Sequence, residues 1–350
     1  MRRLLVTGGA GFIGSNFVHH WLRGHGDDRL VVLDALTYAG NRANLVPVEA
    51  HAGFKFVQGN ICDASLVTSL LRDERIDTLV HFAAETHVDR SISGPAPFIE
   101  TNVIGTHTLL EAARKVWLEE RLVERHRFHH VSTDEVYGSL GPQDPPFSET
   151  TPYAPNSPYS ASKAASDHLV RSYHHTYGLQ VTTTNCSNNY GPYHFPEKLI
   201  PLLIVNMLHG KALPIYGDGR NVRDWLHVSD HCRAIELVLE GGRVGEVYNI
   251  GGRAETENLE LVRSLCEVAE RVFDSRTELY SRYPQCPRKS FADLIRFVTD
   301  RPGHDRRYAI DCAKIERELG FSQRVTLLEG LRDTFTWYVE NDTWWRPLIH

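Results

Sequence analysis

Leu4-Leu5-Val6-Thr7-Gly8-Gly9-Ala10-Gly11-Phe12-Ile13-Gly14 decides how the rest of the chain is read. The short apolar run reads as a buried strand, and the glycines open a helical pattern over residues 14–23. Gly8 permits the tight turn, Gly11 lets the backbone approach a pyrophosphate, and Gly14 lets helix and strand pack closely. The helix N-terminus then offers free N–H groups and a positive dipole end to phosphate oxygens. The next strand-like run ends on Asp34, twenty residues past Gly14, where a carboxylate accepts from a ribose 2′-hydroxyl. That charge repels a 2′-phosphate, so NAD is expected over NADP.

Working outward, strand-like runs recur at residues 30–33, 54–57, 78–82, 128–131 and 181–185. Amphipathic stretches at 65–72, 98–116 and 159–177 separate them. This alternation predicts an α/β protein built on a Rossmann-type, doubly wound parallel sheet. Ligands of such a sheet sit at the carboxyl ends of its strands. After about residue 190 the rhythm breaks into Gly- and Pro-marked loops, which predicts a smaller C-terminal lobe for the substrate. The expected division is a cofactor domain over 1–189 and a substrate lobe over 190–350, with some segments returning to the first. The stretch 275–290 reads as a surface excursion.

With 350 residues the chain can bury a sizeable core, and 41% hydrophobic and 23% charged residues are ordinary for a globular protein. A formal net charge of -6 argues against a nucleic-acid partner. Six cysteines lie far apart with no C-x-x-C pair, so neither a zinc site nor a disulfide framework is indicated. No apolar stretch approaches the ~20 residues of a membrane span, and the N-terminal run is too short for a signal peptide. A cytoplasmic protein with no membrane partner is expected. The histidines, His129-His130 and His174-His175 included, lack metal-ligand spacing, and no metal is expected.

Tyr159 and Lys163 are four apart and share one face of a helix beginning near Pro158. A tyrosine of pKa ~10 needs about 4 kcal/mol to ionise at pH 7. A nearby ammonium and a positive nicotinamide ring lower that cost, so Tyr159 can take a hydroxyl proton as hydride departs. Asp134-Glu135 adds a candidate acid and a candidate base, because two close carboxylates resist ionising together. Ser132-x-x-Glu135 also matches a helix capping box, although the loop-like Gly138-Ser-Leu-Gly-Pro that follows weakens that reading. Side chains alternate along a strand, so both carboxylates reach one substrate only if the chain leaves strand geometry at Thr133. Oxidation followed by elimination is the chemistry these groups suggest. Asn188-Asn189, Lys198, Arg223 and the run Asp300–His304 form a polar, basic set suited to a nucleotide diphosphate.

These stretches closely resemble the nucleotide-sugar branch of the extended short-chain dehydrogenases, and within it the dTDP-glucose 4,6-dehydratase family. The resemblance covers nearly the whole chain and is most specific at Thr133-Asp134-Glu135. It implies an NAD-dependent lyase of deoxysugar biosynthesis that converts dTDP-glucose to its 4-keto-6-deoxy product. Tyr159 would be the base at the C4 hydroxyl, tuned by Lys163, with Thr133 on the C4 oxygen. Asp134 would protonate the leaving C6 hydroxyl and Glu135 would remove the C5 proton. Implied cofactor contacts are Phe12, Ile13, Asp34, Ala35, Leu36, Thr37, Asn60, Ile61, Phe82, Ala83, Ala84, Glu85, Thr86, Thr101 and Asn189, with Gly8, Gly11, Gly14, Tyr159 and Lys163. Implied substrate contacts are Thr86, Thr133, Asn188, Lys198, Leu199, Pro214, Ile215, Tyr216, Arg223, Asn258, Asp300, Arg301, Pro302, Gly303 and His304. Asn60 departs from the family's usual aspartate and can accept from an adenine amino group only without charge assistance.

The alternatives are a UDP-sugar dehydratase, epimerase or decarboxylase, and a catalytically silent NAD-sensing module. The complete Thr133, Asp134, Glu135, Tyr159, Lys163 set speaks against the last. A homodimer is expected through helices 98–116 and 159–177, with Val103, Leu109, Leu110, Ala161, Ala165, Leu169 and Tyr173 supplying apolar surface.

Overall fold

The structure is a computed structural model that describes residues 1–300 and 304–349. The twelve strands among these residues are β1 (Arg3–Thr7), β2 (Arg29–Asp34), β3 (Phe54–Gln58), β4 (Thr78–His81), β5 (Arg127–Thr133), β6 (Val181–Cys186), β7 (Asn188–Tyr190), β8 (Leu213–Tyr216), β9 (Val222–His227), β10 (Val247–Ile250), β11 (Glu255–Glu257) and β12 (Ile295–Val298). Seven of them form one sheet in the order β10-β6-β5-β4-β1-β2-β3, every pair parallel. The expected doubly wound sheet is therefore present, with β10 added from the second half of the chain. β1, β4 and β6 are buried almost end to end, as strands covered by helices on both faces must be.

β6 is buried although its sequence is Val-Thr-Thr-Thr-Asn-Cys. Thr182 and Thr184 satisfy the two ring nitrogens of His129 on β5, at 3.0 and 3.2 Å. His129 is thus a structural residue, and burial holds it neutral, well below the usual histidine range.

The strand order reverses between β1 and β4, and the crevice at that switch is where this fold binds ligands. The second lobe holds a β11-β9-β7 sheet and a β12-β8 pair. Its core is built on helices Leu199–Leu208, Asn258–Ser275 and Leu327–Glu340. The stretch 275–290 differs from its reading. Leu279, Tyr283 and Cys286 are buried in this second core, because a short helix, Leu279–Arg282, turns them inward.

The stretch expected as one helix at 98–116 contains two π-helical turns, Ile99–Gly105 and Arg114–Glu119, around an α-helix, Thr106–Ala113. Leu109 and Leu110 are fully buried in the protomer core, and Tyr173 is buried and donates to Glu111. These three are therefore not available to a partner, which corrects the expected apolar stripe. Ala161 is exposed, Val103, Ala165 and Leu169 are half-buried, and Ile99 and Ile104 add exposed apolar surface. No helix among the described residues is long and apolar enough to cross a membrane.

Candidate active site

Gly8 has φ +69°, and a Cβ there would lie 2.6 Å from the Ala83 backbone nitrogen. A Cβ on Gly14 would lie 2.2 Å from the Gly8 carbonyl oxygen. Both glycines are required by backbone that approaches too closely for any side chain. The loop then meets Asp34, whose carboxylate accepts from Ala10 N and Leu36 N, each at 2.8 Å. A carboxylate has lone pairs beyond those two, so ribose hydroxyls still have acceptors.

Above the strand ends lies a cleft of about 370 Å³. Its walls include Gly8, Gly11, Phe12, Ile13, Gly14, Asp34, Ala35 and Thr37, then Asn60, Ile61, Phe82, Ala83, Ala84, Glu85, Thr86 and Thr101. Thr133, Asp134, Glu135, Tyr159, Lys163, Asn188, Asn189, Lys198 and Leu199 complete the expected set. Leu36 is set back from this wall and has φ +53° in the loop after Asp34. Asn60 Oδ1 accepts from Cys62 N at 2.9 Å, so this side chain also shapes its own turn.

β5 runs in extended geometry through Thr133 and breaks there into a 3-10 turn, Asp134–Tyr137. Thr133 caps that turn by accepting from Glu135 N at 3.3 Å. The Ser132 capping box does not form, because the Ser132 hydroxyl donates instead to Asp167 at 2.9 Å. Successive residues of a 3-10 turn project about a third of a turn apart rather than to opposite faces. Asp134 and Glu135 can therefore both reach the cleft.

The two carboxyls differ in surroundings. Asp134 is 1% exposed, and burial, Glu135 and Asp224 push it well above the usual carboxylate range. These surroundings favour its protonated form. Its Oδ2 has no hydrogen-bond partner, nor have Asn188 Oδ1 and His194 Nδ1, which also belong to cleft residues. Buried polar atoms left open in this way suit a polar ligand. Glu135 is only half-buried.

The helix Pro158–Tyr177 carries Tyr159 and Lys163. A reciprocal Ser157/Ser160 capping box and Pro158 in its first turn start it, and Gly178 in left-handed geometry (φ +79°) ends it. Tyr159 hydrogen-bonds Thr133, while Lys163 Nζ donates to the Val131 carbonyl at 2.9 Å. Burial, Glu135 and Cys186 push Tyr159 well above its ordinary range, and the Thr133 bond opposes them. The cationic help expected at Tyr159 is thus not delivered directly by Lys163, whose ammonium is turned toward β5.

Among the described residues, the remaining expected substrate contacts do not line this cleft. Pro214, Ile215 and Tyr216 form β8, and Ile215 faces the second-lobe core, so its side chain is no contact. Tyr216 packs edge-on to His304, which bonds Asp300 at 2.7 Å. Asn258 Oδ1 is buried without a partner. Arg223 is buried, donates to Val222 O and Asp305 O at 2.8 Å, and lowers the pKa of Asp134 electrostatically. Arg301, Pro302 and Gly303 lie outside the described residues.

Sequence reasoning missed several cleft residues: Tyr38, Cys186, His194, Phe195 and Trp225. His194 stacks on Phe12 with ring centroids 4.1 Å apart, joining the glycine loop to the start of the second lobe. Nothing in local spacing pairs residues so far apart in the chain. Among the described residues, one group could hold a metal, with ligand atoms of His25, Glu236 and Glu240 within 4.8 Å of one another. His25 follows the helix Phe12–Gly24, roughly 20 Å along its axis from the glycine loop.

The sequence model of the family described as GDP-mannose 4,6 dehydratase matches residues 5–334. A dTDP-glucose 4,6-dehydratase of Xanthomonas campestris pv. campestris (strain B100) is 57% identical over 347 residues, covering 98% of this chain and 95% of its own. The crystal structure of a dTDP-glucose 4,6-dehydratase from Streptomyces venezuelae with NAD bound has a TM-score of 0.87 at 52% identity, covering 99% of this chain and 100% of that one. A UDP-glucose 4-epimerase from Thermotoga maritima shares the architecture (TM-score 0.81, 97% of this chain and 99% of that one) at 28% identity. The dehydratases thus stand far nearer in sequence than the epimerase does, and the chain belongs to the dTDP-glucose 4,6-dehydratase family.

Proposed function

We propose that the protein is an NAD-dependent lyase that dehydrates dTDP-glucose to dTDP-4-keto-6-deoxyglucose. The observation that carries this reading is the break at Thr133, which lets Asp134 and Glu135 reach the same cleft as Tyr159 and Lys163. NAD, when bound, supplies a hydride acceptor at C4 and returns that hydride to C6. Tyr159 takes the C4 hydroxyl proton, and Thr133 holds the C4 oxygen. The resulting ketone acidifies C5–H, which Glu135 removes as a base. Asp134, kept protonated by burial, donates its proton to the C6 hydroxyl, which leaves as water. Each carboxyl thus does the task its surroundings suit.

Incubation with dTDP-glucose and, separately, UDP-glucose tests the reading. The 4-keto-6-deoxy product should form from dTDP-glucose with no net consumption of NAD. Stoichiometric accumulation of free NADH, or preference for UDP-glucose, would overturn it.

The same reading gives residues 1–189 to the cofactor and most of 190–350 to the nucleotide sugar. It also places the protein in the cytoplasm, an assignment supported by six cysteines that are all free thiols. The assembly we infer is a homodimer across the stretch 98–116 and the helix Pro158–Tyr177, using Ala161, Ala165 and Leu169 with the exposed Ile99 and Ile104. Light scattering at assay concentration should give twice the protomer's 39.7 kDa, whereas a fully active monomer would refute the assembly.

A further inference from the structure

The turn that carries the two carboxyls ends on a residue that faces away from the cleft. Tyr137 closes the 3-10 turn Asp134–Tyr137 and is 3% exposed. The cleft wall takes Asp134 and Glu135 from this turn but not Val136 or Tyr137. Those two enter a small separate core that includes Leu140, Phe147, Tyr308 and Ala309. The Tyr137 ring stacks on Phe147 with centroids 5.1 Å apart and meets Tyr153 edge-on at 5.2 Å.

Its hydroxyl is held from two sides by amides of the central sheet. Tyr137 OH donates to Asn249 Oδ1 on β10 at 2.9 Å and accepts from Asn185 Nδ2 on β6 at 2.8 Å. Both asparagines are fully buried. What lies beyond them fixes their orientation. Asn249 Nδ2 donates to the Phe147 carbonyl at 3.0 Å. Turning that amide over would set oxygen against oxygen there, so Oδ1 faces the phenol and the phenol donates to it. A hydroxyl that has committed its one proton accepts from its second partner, and Asn185 supplies the N–H. The same Asn185 amide also reaches Tyr153 OH at 3.2 Å.

The start of the turn is secured by other means. Thr133 is paired with Cys186 in the β5–β6 ladder, and its hydroxyl accepts from Glu135 N. The far end has one backbone bond, from Ala154 N to Val136 O at 3.0 Å, and the phenol. We propose that Tyr137 is a positioning residue: its hydroxyl, clamped between Asn185 and Asn249, fixes the turn that aims Asp134 and Glu135 at the substrate. An error of ~1 Å in the placement of a reacting group can cost on the order of 10²-fold in rate. The inference rests on the proposed roles of Asp134 and Glu135. It predicts an effect on one step, because Tyr159 stands on a different element, the Pro158–Tyr177 helix.

Tyr137→Phe keeps both ring contacts and removes the hydroxyl. It leaves Asn249 Oδ1 and an Asn185 N–H buried without a partner, so the melting temperature should fall by a few degrees. In a single turnover with dTDP-glucose, loss of water should slow by about tenfold to a hundredfold, while hydride transfer to NAD changes by less than about threefold. Bound reduced nicotinamide should therefore build up to a higher level than in the native enzyme. With deuterium at C5 of the sugar, the isotope effect on kcat should rise, a signature that lower stability alone does not produce. Asn249→Ala withdraws the acceptor from β10 and should show the same bias. Tyr153→Phe removes a neighbouring hydroxyl that bonds Asp167 and Asn185 but is not on the turn, and it should lower stability without the bias. Equal slowing of both steps in Tyr137→Phe, no change in either, or the same bias in Tyr153→Phe would overturn the proposal. If Tyr137→Phe does not fold, Asn249→Ala carries the test; failure of both to fold would leave Tyr137 a purely structural role and overturn the proposal as well. A Glu135→Gln enzyme that dehydrates normally would instead remove the base assignment on which the inference rests.

Discussion

Glu135→Gln is expected to leave the first oxidation standing and to stop the loss of water. Removing a general base typically costs about 10²–10⁴-fold, and here that loss should fall on elimination alone. The substitution is nearly isosteric. The turn that carries residue 135 is capped through its backbone N–H to Thr133, which glutamine preserves. Asp134 is poorly suited to substitute as the base, because burial favours its protonated form. In a single turnover with dTDP-glucose, reduced nicotinamide should appear and persist in its near-ultraviolet absorbance while the dehydrated product lags. Dehydration at the native rate would show that another group takes the C5 proton.

Tyr159→Phe should fail one step earlier, with a loss of the same order, about 10²–10⁴-fold, in the oxidation itself. The ring contributes packing as well as chemistry, since it meets Phe98 edge-on with centroids 6.4 Å apart. Phenylalanine keeps that contact. What disappears is the hydroxyl, with its bond to Thr133 and its capacity to receive a proton. No reduced nicotinamide should accumulate, NAD should still bind, and thermal stability should change little. Formation of reduced nicotinamide at the native rate would remove Tyr159 from the mechanism. Taken together, the variants separate the two halves of the reaction: one stalls after hydride transfer and the other before it.

Much of this site is legible in the sequence because its parts are local. The steric demand on Gly8 and Gly14 arises within one strand-turn-helix unit, and the Tyr159–Lys163 spacing follows from helical periodicity. The alternation of buried runs and amphipathic stretches was enough to predict a parallel sheet, which the structure has. Errors came where an apolar or polar residue had two credible environments. Leu109 and Leu110 read equally well as core or as interface, and only packing against β-sheet and neighbouring helices buries them in the protomer. Ile215 sits in a motif of expected substrate contacts, yet strand alternation turns its side chain into the second core.

By itself the sequence determined the fold class, the cofactor loop and the identity of the chemical groups. Each of these depends on steric limits and periodicities that act over a few residues. The tertiary structure decided what state those groups are in. Asp134 is pushed toward its protonated form because distant segments remove it from water and set Asp224 near it, adding to its chain neighbour Glu135. Lys163 turns to the Val131 carbonyl, and Asp167 gathers donors from β5 and from the loop that holds Tyr153. Desolvation and charge pairing depend on which segments meet in space, and no spacing along the chain encodes that meeting.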